Sequence, residues 1–564
     1  MDKAAVRQAL DEIARFLELQ GANPFRVRAY QNAARAVMAF PGDLGVGLRS
    51  GELARVHGVG KATLEVVREM LATGRASILD ELREAIPPGL VELMRIPGLG
   101  VTKVRQIHGA LGVESLAELD AAAADGRLAA LPRFGPKTAE NIRKGIASLG
   151  RSTEFRLYHH AAAEAASVRA SLAALDGVAR VEIAGSLRRR RELIRDLDFV
   201  VVPRDPAARD TITRRLRSTP GVTESSGAGG AVTLRFASGT VVDVFLTSAA
   251  ELGLAWLRAT GSAAHLAGLE ARARERGVSL GEGVYPEERD LYRALALDFV
   301  PPELREGSGE IEAAARGTLP RLVDQSDLRG FLHCHSNYSD GTTTVAEWAE
   351  ACGRAGYAWM GLTDHGPAAF AGGLKAEDVP RQHAEIDAVN RGDSSCVVLK
   401  GVEADILADG RLDYDSPTLD RFDFVIGSIH TRFGMTEAQM TERVLAAMDD
   451  PHLTILGHPT GRLLLSREPY PIDLERVLRK AAERGVAVEV NADPHRLDLD
   501  WHRVREARDL GVTVSIGADA HSVAGMANVG IGVGVARKGW LEPKDVLNAR
   551  DADAFRSFAR SRRP

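Results

Sequence analysis

Val181-Glu182-Ile183-Ala184-Gly185-Ser186-Leu187-Arg188-Arg189 runs on to Asp196-Leu197-Asp198-Phe199-Val200-Val201-Val202, and this stretch decides how the rest of the chain is read. The β-branched run after Asp198 predicts a strand, on which side chains at i and i+2 share a face, so Asp196 and Asp198 stand side by side. Paired carboxylates suit a hard divalent cation such as Mg²⁺, which takes oxygen ligands and leaves positions for phosphate oxygens. Gly185-Ser186 would offer backbone N–H groups and a hydroxyl to phosphate, with Arg188 and Arg189 as charge partners. A lone Asp-x-Asp is more often an ordinary strand end in a solvated charge run. A third acid favours the metal site: Thr240-Val241-Val242-Asp243-Val244 reads as a neighbouring strand with one carboxylate.

At 564 residues the chain exceeds what a single core organises, and three or more domains are expected. No run of about 18 apolar residues occurs, and Met1 to Gln20 has amphipathic helical spacing without a signal's apolar block, so a cytoplasmic protein with no membrane partner is expected. Cys334, Cys352 and Cys396 show no paired spacing, which suits a reducing compartment, and reactive roles are not expected of them. The net charge of −5 hides an asymmetry: residues 1–326 carry about +3 and residues 327–564 about −8, so the C-terminal part needs cations. This balance excludes a purely electrostatic nucleic-acid binder, although local stripes and loop N–H groups would still supply phosphate affinity.

Val56-His57-Gly58-Val59-Gly60-Lys61 precedes a helical pattern, Ala62 to Thr73. The theme returns at Ile96-Pro97-Gly98-Leu99-Gly100-Val101-Thr102-Lys103, and more loosely at Leu131-Pro132-Arg133-Phe134-Gly135-Pro136-Lys137-Thr138. Gly-apolar-Gly joins two helices in a tight hairpin, and the second helix aims its first N–H groups outward, where phosphate fits. One such turn is usually an ordinary connection; the repetition makes that reading improbable. These segments resemble helix-hairpin-helix elements, which grip the DNA backbone without reading bases. The resemblance assigns DNA contacts to Gly58, Gly60, Lys61, Gly98, Gly100, Lys103, Gly135 and Lys137.

The Gly185-Ser186-x-Arg188-Arg189, Asp196-x-Asp198 and Asp243 pattern resembles the palm of a family X DNA polymerase. The resemblance implies a nucleotidyltransferase-like palm with a mixed sheet. Asp196 and Asp198 would hold two Mg²⁺ or Mn²⁺, Asp243 would help activate the primer 3′-hydroxyl, and Gly185, Ser186 and Arg189 would touch the incoming dNTP. Thr260-Gly261-Ser262 resembles the turn opening the nucleotide-binding subdomain. The chain departs from its relatives at Arg195 (usually Gly), at Arg258 and Ala259 (an aromatic pair) and at Leu266 (Asn). Aligning the first hairpin's glycines puts Val66 where lyase-competent relatives carry a Schiff-base lysine, and valine forms no imine.

Residues 327–564 hold ten of the fifteen histidines, placed where apolar strand-like runs end. The clusters are His333-Cys334-His335 with Asp340, Asp364-His365, Glu403, His430, His458, and Asp519-Ala520-His521. Short strands alternating with helices predict a β/α barrel, whose functional groups gather at the C-terminal strand ends. His-x-His on a strand points both rings one way, while Cys334 faces the core. Six imidazoles with three carboxylates exceed the needs of one ion and suffice for three, and mixed N and O donors favour Zn²⁺, Mn²⁺ or Fe²⁺. The set resembles a PHP domain (polymerase and histidinol phosphatase). The resemblance makes His333, His335, Asp340, His365, Glu403, His430, His458, Asp519 and His521 the ligands of a trinuclear cluster that cleaves phosphoesters. Asp364 is expected to orient His365, and Arg462 is either a substrate-phosphate contact or a plain surface arginine.

Together these features resemble the bacterial PolX type. The expected architecture is multidomain, α+β and α/β: an N-terminal helical domain with a helix-hairpin-helix (1–80), a fingers-like helix-hairpin-helix domain (81–150), the palm (151–258), a thumb-like nucleotide-binding subdomain with linker (259–326) and a distorted β/α PHP barrel (327–564). The expected protein is a monomeric repair polymerase that fills gapped DNA from dNTPs and trims 3′ ends. Two other readings stay open: a DNA 3′-phosphodiesterase whose altered palm only grips DNA, and a PHP small-molecule phosphatase, which gives the hairpins no use.

Overall fold

The computed structural model describes residues 3–40, 44–56, 58–94, 96, 99–281, 283–369 and 372–563. The chain divides into two compact units, Met1–Thr153 and Glu154–Pro564. Among the described residues, no helix is long and apolar enough to cross a membrane.

The first unit is helical. In α1 (Lys3–Leu19), Val6, Leu10, Ile13 and Leu17 recur at three- and four-residue intervals and are buried, which is the amphipathic stripe read from the sequence. The helices α2 (Lys61–Thr73), α3 (Val101–Leu111) and α4 (Pro136–Glu154) each follow one of the three glycine-bearing turns. A single core from Val6 through Val67 and Ile107 to Ile142 runs through both expected segments of this unit.

The second unit begins with the sheet. Its strands are β1 (Val178–Ile183), β2 (Leu197–Pro203), β3 (Val222–Ser226), β4 (Ala231–Phe236) and β5 (Val241–Leu246). They lie in the order β1-β2-β5-β4-β3, with β2 and β5 parallel and the other pairs antiparallel, so the sheet is mixed as expected. Alternation along β2 divides its side chains: Leu197, Phe199 and Val201 enter a core with the helices α5 (Tyr158–Ala173) and α6 (Ala208–Arg217), while Val200 and Val202 pack on the opposite face against Leu252. Asp198 shares that second face. There, α7 (Leu252–Thr260) is fixed by the Trp256 indole N–H donating to the Ile183 carbonyl at 2.9 Å, and α8 (Ala263–Arg276) follows.

The C-terminal part is a closed barrel of seven parallel strands, β6 (Gly330–Cys334), β7 (Trp359–Leu362), β8 (Val397–Asp405), β9 (Phe424–Ser428), β10 (Leu453–Leu456), β11 (Ala487–Asn491) and β12 (Val514–Ala520), with β12 closing onto β6. Their runs read as unbroken apolar segments because both faces are covered. Trp359, Phe424 and Phe555 of the C-terminal helix fill one end, with the Trp359 ring 4.5 Å from that of Phe555. The other end, where the strands finish, is left for polar side chains.

Candidate active sites and nucleic-acid interface

The described residues of the three hairpin turns share the same hydrogen bonds. Val59 N–H donates to the Val56 carbonyl, Leu99 to Ile96 and Phe134 to Leu131, at 3.0–3.1 Å. The last turn residue then accepts the first helical bond: Gly60 from Leu64, Gly100 from Val104, Gly135 from Ala139. Thr63 secures the first copy, its hydroxyl accepting from Gly60 N–H at 3.0 Å. Gly58 takes φ +97°, and in the third copy Arg133 occupies the equivalent left-handed position at φ +69°. The looser copy thus keeps the turn without its first glycine, at a cost of about 1 kcal/mol in backbone strain. Gly98 lies outside the described residues. Lys61, Lys103 and Lys137 stand exposed in the first turns of α2, α3 and α4. Val66 is buried in the helical core, so no nucleophile occupies that position.

In the palm, parallel pairing sets Asp198 directly opposite Asp243, and Asp196 precedes β2 by one residue, so the three acids converge over one sheet. Burial, then the neighbouring charges of Asp196 and Asp243, push the Asp198 carboxyl up to about 7. Carboxylates crowded together in this way are poised to share a cation. The Thr233 hydroxyl donates to Asp243. Gly185 sits at φ +63°, and a β-carbon there would lie 1.7 Å from Asp198 Oδ2, so backbone and carboxylate meet without room for a side chain. Arg195 is exposed and pairs with Asp196 at 3.6 Å.

The two arginines after Ser186 are held from outside the sheet. Arg188 makes a bidentate pair with Glu288 (2.7 and 2.7 Å), donates to the Thr260 hydroxyl at 2.9 Å and stacks on Trp256 at 3.5 Å. Arg189 donates to Glu306 at 3.0 Å and to the Thr260 carbonyl at 2.6 Å. Thr260 is therefore buried behind the arginines, Gly261 closes α7, and the Ser262 hydroxyl caps α8 by accepting from His265 N–H at 3.1 Å. Leu266 packs into the core of this subdomain. Arg462 is not a plain surface arginine: it is nearly buried and donates to Glu192, 270 residues earlier, at 2.7 Å.

At the barrel mouth, Glu403 stands at the centre. Its carboxylate oxygens lie 3.4 Å from His333, 3.7 Å from His335, 2.8 Å from His365, 3.3 Å from His430 and 3.0 Å from His458. Asp519 lies 3.3 Å from His335, and Asp340 lies 3.7 Å from His365 and 3.3 Å from His521. Eight of the nine expected donors thus fall in three overlapping groups of metal-binding geometry, His335, Asp340, His365 and His521; His333, His335 and Asp519; and His365, Glu403 and His430, while His458 joins them through Glu403. Buried ring nitrogens of His333, His335, His365 and His458 and one Glu403 oxygen have no hydrogen-bond partner, which fits residues whose partners are cations. Burial alone would raise the Glu403 carboxyl, but the imidazoles of His333, His430 and His365 hold it well below the usual range. Burial opposes charge on His430 as well, yet Glu403 and Asp405 push it up to about 10.

Backbone irregularity aims these groups. His333, His458 and Asp519 adopt φ of +60°, +22° and +50°, and the register of β6 with β12 slips between Gly517 and Ala520. The rings of His333 and His335 do converge, 5.4 Å apart, but across a kinked strand end rather than by regular alternation. Cys334 is buried, its thiol toward the Gly361 carbonyl. Asp364 does not orient His365. Its carboxylate accepts from Ser336 N–H, the Ser336 and Ser339 hydroxyls and the Gln382 amide at 2.6–2.7 Å, fixing the loop after His335. Two acids that sequence reasoning missed act behind the histidines: Glu489 accepts from His333 Nδ1 at 2.5 Å and His458 N–H at 2.8 Å, and Asp405 from His430 Nδ1 at 3.0 Å.

Family models match four segments: a helix-hairpin-helix domain at residues 1–76, a SAM-like helix-hairpin-helix tandem at 90–148, a DNA polymerase beta thumb at 255–306 and a PHP domain at 332–493. The DNA polymerase/3'-5' exonuclease PolX of Bacillus subtilis (strain 168) is 35% identical over 570 residues, covering 98% of this chain and 99% of that protein. Probable phosphatases match about a quarter of this chain. That of Syntrophotalea carbinolica is 30% identical over 28% of this chain and 64% of its own length, and that of Caldanaerobacter subterraneus 32% over 26% and 56%.

Proposed function

This chain belongs to the bacterial PolX family, and from that membership we propose how its two centres divide the work on one DNA terminus. It is a DNA repair polymerase that carries a metal-dependent 3'-5' exonuclease in its PHP domain. The palm acids fill short gaps, and the barrel mouth trims 3′ ends. The in-register pairing of Asp198 with Asp243 carries the synthetic half of this reading.

Asp196, Asp198 and Asp243 would hold Mg²⁺ or Mn²⁺, which offsets the charge developing on a transferred phosphoryl group. Asp243, turned by the Thr233 hydroxyl, faces the primer 3′-hydroxyl, whose proton it helps to draw away. Gly185 and Ser186 bring backbone and hydroxyl to the triphosphate of a dNTP, and Arg189 supplies positive charge beside them. Thr260, Gly261 and Ser262 serve the nucleotide through Arg188 and Arg189 and through the cap of α8, since the Thr260 side chain is buried.

The nine barrel donors would hold up to three ions of Zn²⁺, Mn²⁺ or Fe²⁺, which activate water and stabilise a leaving oxygen. Glu489 and Asp405 fix the ring orientation of His333 and His430, so the opposite nitrogens face the cluster. The hairpins, with Lys61, Lys103 and Lys137, hold backbone phosphates of gapped or 3′-ended DNA. The enzyme acts as a cytoplasmic monomer.

Primer extension across a gap with Mg²⁺ or Mn²⁺ tests this division. Asp198→Ala loses extension and keeps 3′ trimming; His333→Ala does the reverse. Extension that persists in Asp198→Ala refutes the palm assignment. The Arg195–Asp196 pair favours a second reading, a palm that only grips DNA. Intact trimming with no extension by the wild type would decide for it.

A further inference from the structure

The phosphate-facing loop of the palm is held in place partly by the barrel. Lys538, the last residue of α9 (Val529–Lys538), is 1% exposed, although it carries a charge. Its ammonium donates to three groups of the polymerase half: the Glu306 carboxylate, the Arg189 carbonyl at 3.2 Å and the Glu303 carbonyl at 3.3 Å. Glu306 in turn accepts from Arg189 at 3.0 Å and lies 3.7 Å from Arg191. The same loop is pinned once more at Glu192, by Arg462 of the barrel at 2.7 Å. Burying an ammonium this deeply is unfavourable unless each of its donors finds an acceptor, and here all the named acceptors belong to the other half of the unit.

We propose that Lys538, acting through Glu306, is a positioning residue of the polymerase centre: it fixes the Arg189 side chain and backbone for the incoming dNTP, so the nuclease barrel forms a structural wall of the polymerase site. The inference rests on the reading of Arg189 as a triphosphate contact. Lys538 carries no hydrogen bond to any of the nine barrel donors, so nuclease chemistry should not depend on it. Its surroundings are Glu306, Glu303, Arg189, Arg191 and the Trp501 ring at 4.9 Å. Burial lowers the Lys538 ammonium to about 8, with Glu306 opposing that fall, so a pH above this value should loosen the clamp.

The test uses the full chain carrying Lys538→Met, Lys538→Arg or Glu306→Gln, with single-nucleotide gap filling and 3′ trimming measured on the same preparations. Lys538→Met should raise KM for dNTP about tenfold, the cost of misorienting one charge-assisted contact, with kcat changed less. Glu306→Gln should move KM the same way, and Lys538→Arg should restore most of it. Trimming should stay within about twofold of wild type in all three. The proposal is overturned if KM for dNTP is unmoved in both Lys538→Met and Glu306→Gln, or if extension and trimming fall together in both. A wild type that extends no primer removes the underlying reading instead, an outcome separate from either of these.

Discussion

Replacing Gly185 by alanine should stop synthesis while leaving the fold intact. The new methyl would start 1.7 Å from Asp198 Oδ2, 2.5 Å from Cγ and 2.9 Å from Cβ, whereas β-carbons in proteins essentially never approach a heavy atom closer than 3.0 Å. Rotating the carboxylate to clear the first contact itself carries Oδ2 away by about 1.3 Å, and the contacts to Cγ and Cβ remain. The Asp198 side chain or the loop must therefore yield by about 1.3 Å or more. A misplacement of about 1 Å at a reacting centre costs on the order of 100-fold in rate, so kcat for gap filling should fall at least that far. The left-handed φ of +63° adds about 1–2 kcal/mol of strain for a non-glycine residue, a minor part of a typical stability of about 5–15 kcal/mol. The assay is single-turnover filling of a one-nucleotide gap, with 3′ trimming by the same molecule as an internal control for folding. An alanine variant that fills gaps within about threefold of wild type would refute the claim that this backbone shapes the metal-binding face.

The raised Asp198 carboxyl makes the chelator-treated protein pH-sensitive. Its protonated form is favoured in the fold, so the stabilisation is complete below about pH 4 and is lost as pH rises through about 7. Denaturation midpoints of wild type and Asp198→Asn in chelator should therefore diverge between these limits, the variant becoming relatively more stable by up to about 4 kcal/mol, and added Mg²⁺ should favour the wild type again. Glu489→Gln should weaken barrel metal affinity about 10- to 100-fold while gap filling persists, read by metal content after dialysis and by trimming. Lys61→Glu, Lys103→Glu and Lys137→Glu should each weaken binding to unrelated DNA sequences equally and reduce the salt slope by about 1, measured by titration at several salt concentrations.

Local pattern carried much of this architecture. Asp196, Asp198 and Asp243 were readable because a strand's two-residue period puts acids on one face, and the pairing of β2 with β5 then brings them together. The barrel acids and imidazoles were readable because, Asp340 apart, they gather where apolar runs end, although the kinks at His333, His458 and Asp519 that aim them leave no mark in composition. Glu489 was hidden for a related reason: Ala487-Val488-Glu489-Val490-Asn491 looks like any buried strand, and the acid's role depends on His333, 156 residues away. Asp364 was misread as a partner of its neighbour because sequence adjacency says nothing about which loop folds over a carboxylate. The burial of Arg462 was not legible because its partner Glu192 lies on the other half of the unit. The third hairpin shows the converse, a motif weaker in letters than in geometry, since Arg133 accepts a backbone conformation that glycine would take freely.

The pairing of Glu192 with Arg462 and of Glu306 with Lys538 limits how this chain can be taken apart. Severing it ahead of the barrel would bare two acids on one fragment and two cations on the other, each shaped to a surface no longer there. Synthesis and degradation are thus not interchangeable modules on a string. Whichever activity selection acts upon, it acts on a seam that both must share.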